Sequence, residues 1–328
     1  MILTRTPLRA SLFGGGSDYP EWFIGRGGAV LGMAITRYAY LGVKRMPPGQ
    51  GPRYRIGYSK VEDAMEIDQI QHPAVRGCLR HLEIQDPIEI HYAGDLASGG
   101  GLGASSAFVV GLLHALRLQF DMNGDHPAQL ADEAIHVERD VIMEAVGYQD
   151  QLFAAFGGLR FIEFRGIDDW RVTSVNVSAE RMRNIERSLV LVYSGTMRMA
   201  HVMAAKQLTR IQNNESPLRE MAAMAREAKV LMEDEGADIN LIGRMLHAGW
   251  QLKRELHPEI SSSDIDRLYS HGLSLGALGG KLCGAGGGGF LLFWVPPERW
   301  PEFAAHIGAP WVRFGIAERG THVIVREP

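Results

Sequence analysis

Nine residues, Gly99-Gly100-Gly101-Leu102-Gly103-Ala104-Ser105-Ser106-Ala107, stand between a strand-like stretch at 88–92 and a long apolar run at 108–118. A strand that enters a helix through so many glycines leaves little choice of local architecture. Glycine lets the backbone approach a ligand closely, the first helical N–H groups lack partners, and the helix dipole is positive at that end. The turn therefore reads as an anion site. Ser105 and Ser106 place hydroxyls just inside it, within reach of a phosphate oxygen or a bound Mg²⁺. We read residues 99–106 as a loop for a nucleoside triphosphate. No Gly-Lys-Ser/Thr follows, so it is not the Walker pattern. An ordinary glycine-serine loop is the alternative reading.

A chain of 328 residues suggests one large or two ordinary domains, and 46% hydrophobic residues suffice for a full core. A net charge of −4 without a long basic run makes nucleic acid and anionic membrane poor partners. The longest apolar stretch, 290–295, has a strand's length and is too short to span a bilayer. Cys78 and Cys283 are far apart and have no metal-ligand spacing; with no signal peptide at the start, a reduced, cytoplasmic protein is expected.

Strands are expected at 29–35, 38–44, 53–58, 88–92 and 160–164, with helices at 103–119, 127–145 and 151–156. A polar stretch at 178–187 separates two halves, giving expected domains 1–183 and 184–328. The second half reads as a strand at 189–193, helices at 197–212, 217–235, 239–256 and 263–275, a strand at 289–295, a helix at 298–307, and strands at 311–317 and 321–326. Both halves are expected to be α+β with mostly antiparallel sheets.

Three further segments carry candidate chemistry. In Arg9-Ala10-Ser11-Leu12-Phe13-Gly14-Gly15-Gly16-Ser17-Asp18-Tyr19, successive glycines allow close backbone approach and Asp18 is an acceptor suited to sugar hydroxyls; a surface Asx turn is the alternative. Glu138 lies on the expected helix 127–145, and Asp150 follows the Gly147 break at a new helix start. Taken alone, Glu138 reads first as a solvated helix residue and Asp150 as an N-cap. In the fourth segment, Lys281-Leu282-Cys283-Gly284-Ala285-Gly286-Gly287-Gly288-Gly289-Phe290, dense glycine disfavours helix and strand and implies backbone packed close to an anion or to another element; a floppy turn is the alternative.

In this order the four segments resemble the GHMP kinases, the family of galactokinase, homoserine kinase, mevalonate kinase and phosphomevalonate kinase. Gly101-Leu102-Gly103-Ala104-Ser105-Ser106-Ala107 resembles the family's second motif, and 284–290 its third. Residues 9–19 are similar to the galactokinase signature, with Gly15 and Gly16 where that signature has Glu and His. Gly147-Tyr148-Gln149-Asp150-Gln151 is similar to its Gly-x-x-Asp-Gln element. Within the family, Phe13 through Trp22, Gly27 through Gly32, Tyr58-Ser59-Lys60, His72-Pro73-Ala74 and Gly276 through Leu282 resemble the heptose kinases. Two departures stand out: Ala97-Ser98 occupies a place where the family often has proline, and Ala104 replaces a usual serine.

The resemblance implies a two-domain α+β fold, ribosomal-S5-domain-2-like in its N-terminal half and ferredoxin-like in its C-terminal half. It implies ATP and Mg²⁺, and transfer to the anomeric hydroxyl of D-glycero-D-manno-heptose 7-phosphate on the way to GDP-heptose and surface polysaccharide. A kinase for another sugar, fucose- or galactose-like, and a silent sugar- and ATP-binding regulator are the alternatives. By position, Gly99, Gly100, Gly101, Leu102, Gly103, Ala104, Ser105 and Ser106 match the phosphate loop. Ser105 and Glu138 match the Mg²⁺ ligands, Asp150 the acidic residue beside the reacting hydroxyl, and Arg9 the arginine near it. Gly15, Gly16, Ser17, Asp18 and Tyr19 match the sugar site, joined by Gly286 and Gly287. Adenine is expected near 58–76. A phosphate on the sugar needs a cationic pocket, for which Arg198 and Lys206, with Arg210 one turn on, are candidates; plain surface charge is the alternative for each. A homodimer is left open.

Overall fold

Two long strands set the frame: β1 (Ile2–Phe13) and β2 (Gly28–Arg45) run antiparallel along most of their lengths. The computed structural model describes residues 1–49, 51–97, 99–196, 204–205, 208–211 and 214–327. The strands expected at 29–35 and 38–44 are one strand, β2. Its register against β1 jumps from Pro7↔Tyr38 to Leu8↔Ile35, so Thr36 and Arg37 bulge out of the ladder. The bulge breaks the alternation that a sequence reading follows. Its polar groups are taken up by the last part of the chain: Thr36 N–H donates to the Gly315 carbonyl at 2.9 Å and Arg37 Nη2 to the Arg313 carbonyl at 2.6 Å.

One end of β2 pairs with β5 (Ile88–Gly94) and the other with β6 (Leu159–Gly166). With β3 (Tyr54–Gly57), β4 (Val61–Ala64), β7 (Asp169–Ser174) and β12 (His322–Arg326) they form an eight-stranded sheet. Among the described residues, only β3 and β5 pair in parallel. Helices α1 (Pro20–Phe23) and α2 (Pro73–His81) flank it, and α3 (Ala104–Gln119) lies across β1 and β2. Residues Ser106 through Leu116 of α3 are all buried, as befits a helix that is apolar on every side. The helix expected at 127–145 stops early. α4 (Pro127–His136) passes into a π-helical turn, Val137–Val141, and an irregular segment leads to α5 (Gln149–Phe156).

After α6 (Ala179–Ser188), the strands β8 (Leu189–Tyr193), β9 (Gly279–Leu282), β10 (Phe290–Trp294) and β11 (Trp311–Val312) form an antiparallel sheet in the order β11-β8-β10-β9. Helices α7 (Glu215–Glu233), α8 (Leu241–Glu255), α9 (Ser263–Ser274) and α10 (Trp300–His306) accompany it. α8 packs on β9 and β10, while α7 packs on α8 and also on β1 and β2, tying the two sheets together. The strand expected at 311–317 is only two residues long, and Ile316 makes a single bridge to Ile35. The helix expected at 197–212 falls largely outside the described residues. β12 returns to pair with β1, so the sheet that a cut between 183 and 184 assigns to the first half takes its edge strand from the second. No helix among the described residues is long and apolar enough to cross a membrane.

Candidate active site

A cleft of about 520 Å³ opens between the two sheets. One wall is the turn before α3. Gly103 caps that helix in the left-handed conformation (φ 73°) and supplies no side-chain cap. A Cβ there would lie 3.1 Å from Arg9 Cγ and 3.3 Å from Asp150 Oδ2, so glycine is required both by backbone and by space. The first turn of α3 thus meets the cleft with its N–H groups and with Ser105, which is exposed to it. Gly99, Gly101, Leu102, Ala104 and Ser106 also line this wall. Gly100 stands behind it, where an added Cβ would come within 3.0 Å of the Phe290 ring.

The second glycine-rich segment explains itself as the backing of the first. A Cβ on Gly101 would sit 2.5 Å from the Cys283 carbonyl oxygen, and one on Gly284 would sit 2.5 Å from Gly101 Cα. Phe290 N–H donates to the Gly100 carbonyl at 3.1 Å. The two turns pack backbone on backbone. Here Gly284 and Ala285 face the cleft. Gly286 and Gly287 are turned instead toward Ile260: a Cβ on Gly286 would be 3.1 Å from Ile260 Cα, and Gly287 N–H donates to the Ile260 carbonyl at 2.9 Å.

At the centre, Arg9 of β1 clamps Asp150 in the first turn of α5. Nε and Nη2 donate to the two carboxylate oxygens at 2.7 and 2.8 Å, and Nη1 donates to the Gly101 carbonyl at 2.5 Å. The Arg9 side chain is 6% exposed and that of Asp150 is 23% exposed, so the carboxylate is fixed yet open to the cleft. This bidentate geometry holds the carboxylate plane and fixes its distance from the phosphate turn.

Asp18 is the second carboxylate on the cleft. Its Oδ1 accepts from Gly16 N–H at 2.8 Å and its Oδ2 from Gln149 N–H at 3.4 Å, while Tyr148 N–H donates to the Asp18 carbonyl at 3.0 Å. Burial pushes its pKa up, against the pull of the Gly16 N–H. Gly147 gives it room. Gly15, Gly16 and Tyr19 also line the cleft, whereas Ser17 is fully buried and donates to the Gly14 carbonyl at 2.8 Å.

Glu138 sits on the π-helical turn, 1% exposed, behind the first turn of α3. It accepts from Ser106 Oγ at 2.9 Å and from Gln151 Nε2. It has no cationic partner among the described residues, and burial pushes its pKa up to about 8. No group of three or more His, Cys, Asp and Glu that could hold a metal ion occurs among the described residues. Mg²⁺ is ordinarily held by one or two carboxylates plus substrate phosphates, not by an all-protein cage. A buried carboxylate lacking a positive partner, beside the Ser106 hydroxyl in the first turn of α3, fits that ion.

Among the polar side chains that line the cleft, Ser11, Glu144, Gln149, Lys253 and Lys281 had no role in the sequence reading. Lys253 lies in the last turn of amphipathic α8, where basic residues are common for other reasons. Lys281 did carry a signal, because a lysine in the wholly buried strand Gly279–Leu282 is out of place. Arg198 and Lys206 lie outside the described residues. The stretch 58–76 brings His72 onto Phe108 of α3, stacked at 4.7 Å, with Tyr58 edge-on to His72 at 4.8 Å.

Comparison with known proteins agrees with this architecture. Residues 72–158 match the family model for the GHMP kinases N terminal domain, and residues 218–309 match that for the GHMP kinases C terminal. The chain is 27% identical over 310 residues to a D-glycero-alpha-D-manno-heptose 7-phosphate kinase of Campylobacter jejuni, covering 91% of this chain and 90% of that one. It is also 27% identical over 318 residues to a bifunctional fucokinase/GDP-fucose pyrophosphorylase of Arabidopsis thaliana, spanning 87% of this chain but 29% of the larger protein. A crystal structure of a D-glycero-D-manno-heptose 1-phosphate kinase from Bacteroides thetaiotaomicron superposes over 100% of both chains with a TM-score of 0.82 at 23% identity.

Proposed function

The chain belongs to the GHMP kinases, and on that footing we propose that it transfers the γ-phosphoryl group of ATP to the anomeric hydroxyl of D-glycero-D-manno-heptose 7-phosphate, giving the 1,7-bisphosphate and ADP. The observation that carries the chemistry is the bidentate Arg9–Asp150 pair, at 2.7 and 2.8 Å, fixed against the turn before α3. Phosphoryl transfer asks mainly for positioning and charge stabilisation. The backbone of 99–106, with the N-terminus of α3, receives the β- and γ-phosphates. The anomeric oxygen attacks phosphorus in line, the bond to the β-phosphate oxygen breaks, and the hydroxyl proton passes to Asp150. Arg9 keeps that carboxylate in its orientation and contributes positive charge beside the transferred group.

Ser105 and Glu138 would hold Mg²⁺, which neutralises charge on the phosphates when bound. Asp18, with Gly15, Gly16 and Tyr19, receives the acceptor's hydroxyls, and Ser17 shapes that loop from behind. The aromatic cluster of Tyr58, His72 and Phe108 is our candidate surface for adenine. The heptose assignment is supported by similarity across nine-tenths of the chain to the Campylobacter jejuni kinase and by the resemblance of residues 13–22, 27–32, 58–60, 72–74 and 276–282 to the heptose kinases. The resemblance to the heptose kinases implies use of the product in GDP-heptose and surface polysaccharide formation.

ADP release from Mg·ATP with a panel of heptose 7-phosphate, free heptose, fucose, galactose and mannose tests the proposal. Turnover confined to heptose 7-phosphate is expected. Turnover with fucose instead would move the acceptor to that of the Arabidopsis relative. ATP binding without turnover on any sugar would favour a silent regulator.

A further inference from the structure

Two lysines in the cleft carry charges that the transfer chemistry above does not use. Lys253, in α8, and Lys281, in β9, both line it and are each 6% exposed. Lys253 Nζ donates to the carbonyls of Leu282 at 2.9 Å and Gly284 at 2.5 Å. Lys281 Nζ donates to the Leu12 carbonyl at 3.1 Å. Neither makes an ion pair among the described residues. An ammonium has three donors, so these contacts engage two on Lys253 and one on Lys281.

Their surroundings favour an anion. Burial, reinforced by repulsion from Lys281 and Arg9, holds the Lys253 pKa well below its ordinary value, and burial brings that of Lys281 down to about 8. Two buried ammonium groups beside a guanidinium are costly unless a negative group joins them. The nucleotide's phosphates already have the helix N-terminus and the backbone of 99–106. Lys281 instead reaches across to Leu12 of β1, which leads into the Gly15–Gly16–Asp18 loop at the acceptor end. Lys253 has a second task, because its two carbonyl contacts pin the start of the glycine turn at 284.

We propose that Lys281, with Lys253 beside it, forms the subsite for a phosphoryl dianion carried by the acceptor. The inference rests on the kinase reading above and adds the feature that would distinguish a phosphorylated sugar from a free one.

The test compares kcat/KM for heptose 7-phosphate and free heptose in wild type, Lys281→Gln and Lys253→Met. Gln retains a donor for the Leu12 carbonyl while losing the charge, and the two variants lie in different elements, so a folding failure in one leaves the other. The expected result is a fall in the preference for the phosphorylated acceptor of on the order of 10²-fold, mostly through its KM. Equal losses on both acceptors would mark a purely structural role and overturn the proposal, as would a higher KM for Mg·ATP at unchanged preference. Equal use of both acceptors by the wild type would also overturn it. If the wild type uses neither, the heptose reading fails. Inorganic phosphate is then titrated with a non-hydrolysable ATP analogue filling the triphosphate turn. Binding that Lys281→Gln abolishes supports the subsite; no binding by the wild type overturns it.

Discussion

Gly147→Ala offers a test of Asp18 that removes no polar group from the cleft. Gly147 does not adopt a positive φ, so alanine brings no backbone strain. Its Cβ, however, would lie 2.1 Å from Asp18 Oδ2 and 2.7 Å from Asp18 Cγ, which leaves the oxygen about 1.3 Å short of ordinary contact. The Asp18 side chain is short and tethered at both oxygens, to Gly16 N–H at 2.8 Å and Gln149 N–H at 3.4 Å. Relief therefore requires rotating the carboxylate off those donors. A hydrogen bond to a charged group contributes roughly 1.5–3 kcal/mol, so a loss of about 2 kcal/mol in stability is expected. For a chain of this size that is a fall in Tm of roughly 3 °C. If Asp18 also binds an acceptor hydroxyl, the same displacement should raise the acceptor KM by about 10- to 100-fold. The KM for Mg·ATP should stay near its wild-type value. Initial rates with each substrate varied in turn, alongside differential scanning fluorimetry, supply both readouts. An acceptor KM within about twofold of wild type, in a variant with the expected fall in Tm, would refute the role given to Asp18.

Three further outcomes are expected. Asp150→Asn preserves shape but cannot take a proton, so kcat should fall by about 10²- to 10⁴-fold; near-normal turnover would remove Asp150 from proton transfer. Glu138 titrates near 8 in the fold against an ordinary carboxylate value when unfolded, so its contribution to stability is full at low pH and lost as pH rises through about 8. Without divalent cation, Tm should decline across that interval; Mg²⁺ together with a nucleotide analogue should flatten the decline, and Glu138→Gln should abolish it. Gly101→Ala combines a φ of 77° with a Cβ 2.5 Å from the Cys283 carbonyl, so it should separate the two glycine turns and abolish nucleotide binding measured by calorimetry, even where secondary structure by circular dichroism survives.

What the sequence made legible was local. The strand–glycine turn–helix pattern at 99–107 needs only backbone rules to read, and α3 begins where they place it. The Arg9–Asp150 pair came from motif resemblance, because nothing in local pattern joins residues 141 positions apart. Glu138 sits in a π-helical turn, which periodicity reads as continuous helix, so the reason for its burial was hidden. The glycines at 284–289 announced close packing, but not which of them would face a ligand and which Ile260. Lys253 was missed because an amphipathic helix gives no sign of which charged residue near its end will be enclosed by another element.

The return of β12 to β1 has a consequence for how this fold is reached. Ile2 pairs with Arg326 and Arg5 with His322, so the edge of the strand that carries Arg9 is covered by residues made after the entire four-stranded sheet. Until then that edge of β1 is a row of open backbone donors and acceptors, able to recruit a strand from another chain. Closing so long a loop also places this pairing among the slow steps of folding. A nascent chain holds most of its phosphate-binding turn early, yet the sheet beneath its arginine is completed late. Conditions that slow maturation should therefore expose an aggregation-prone edge before they expose a defective kinase.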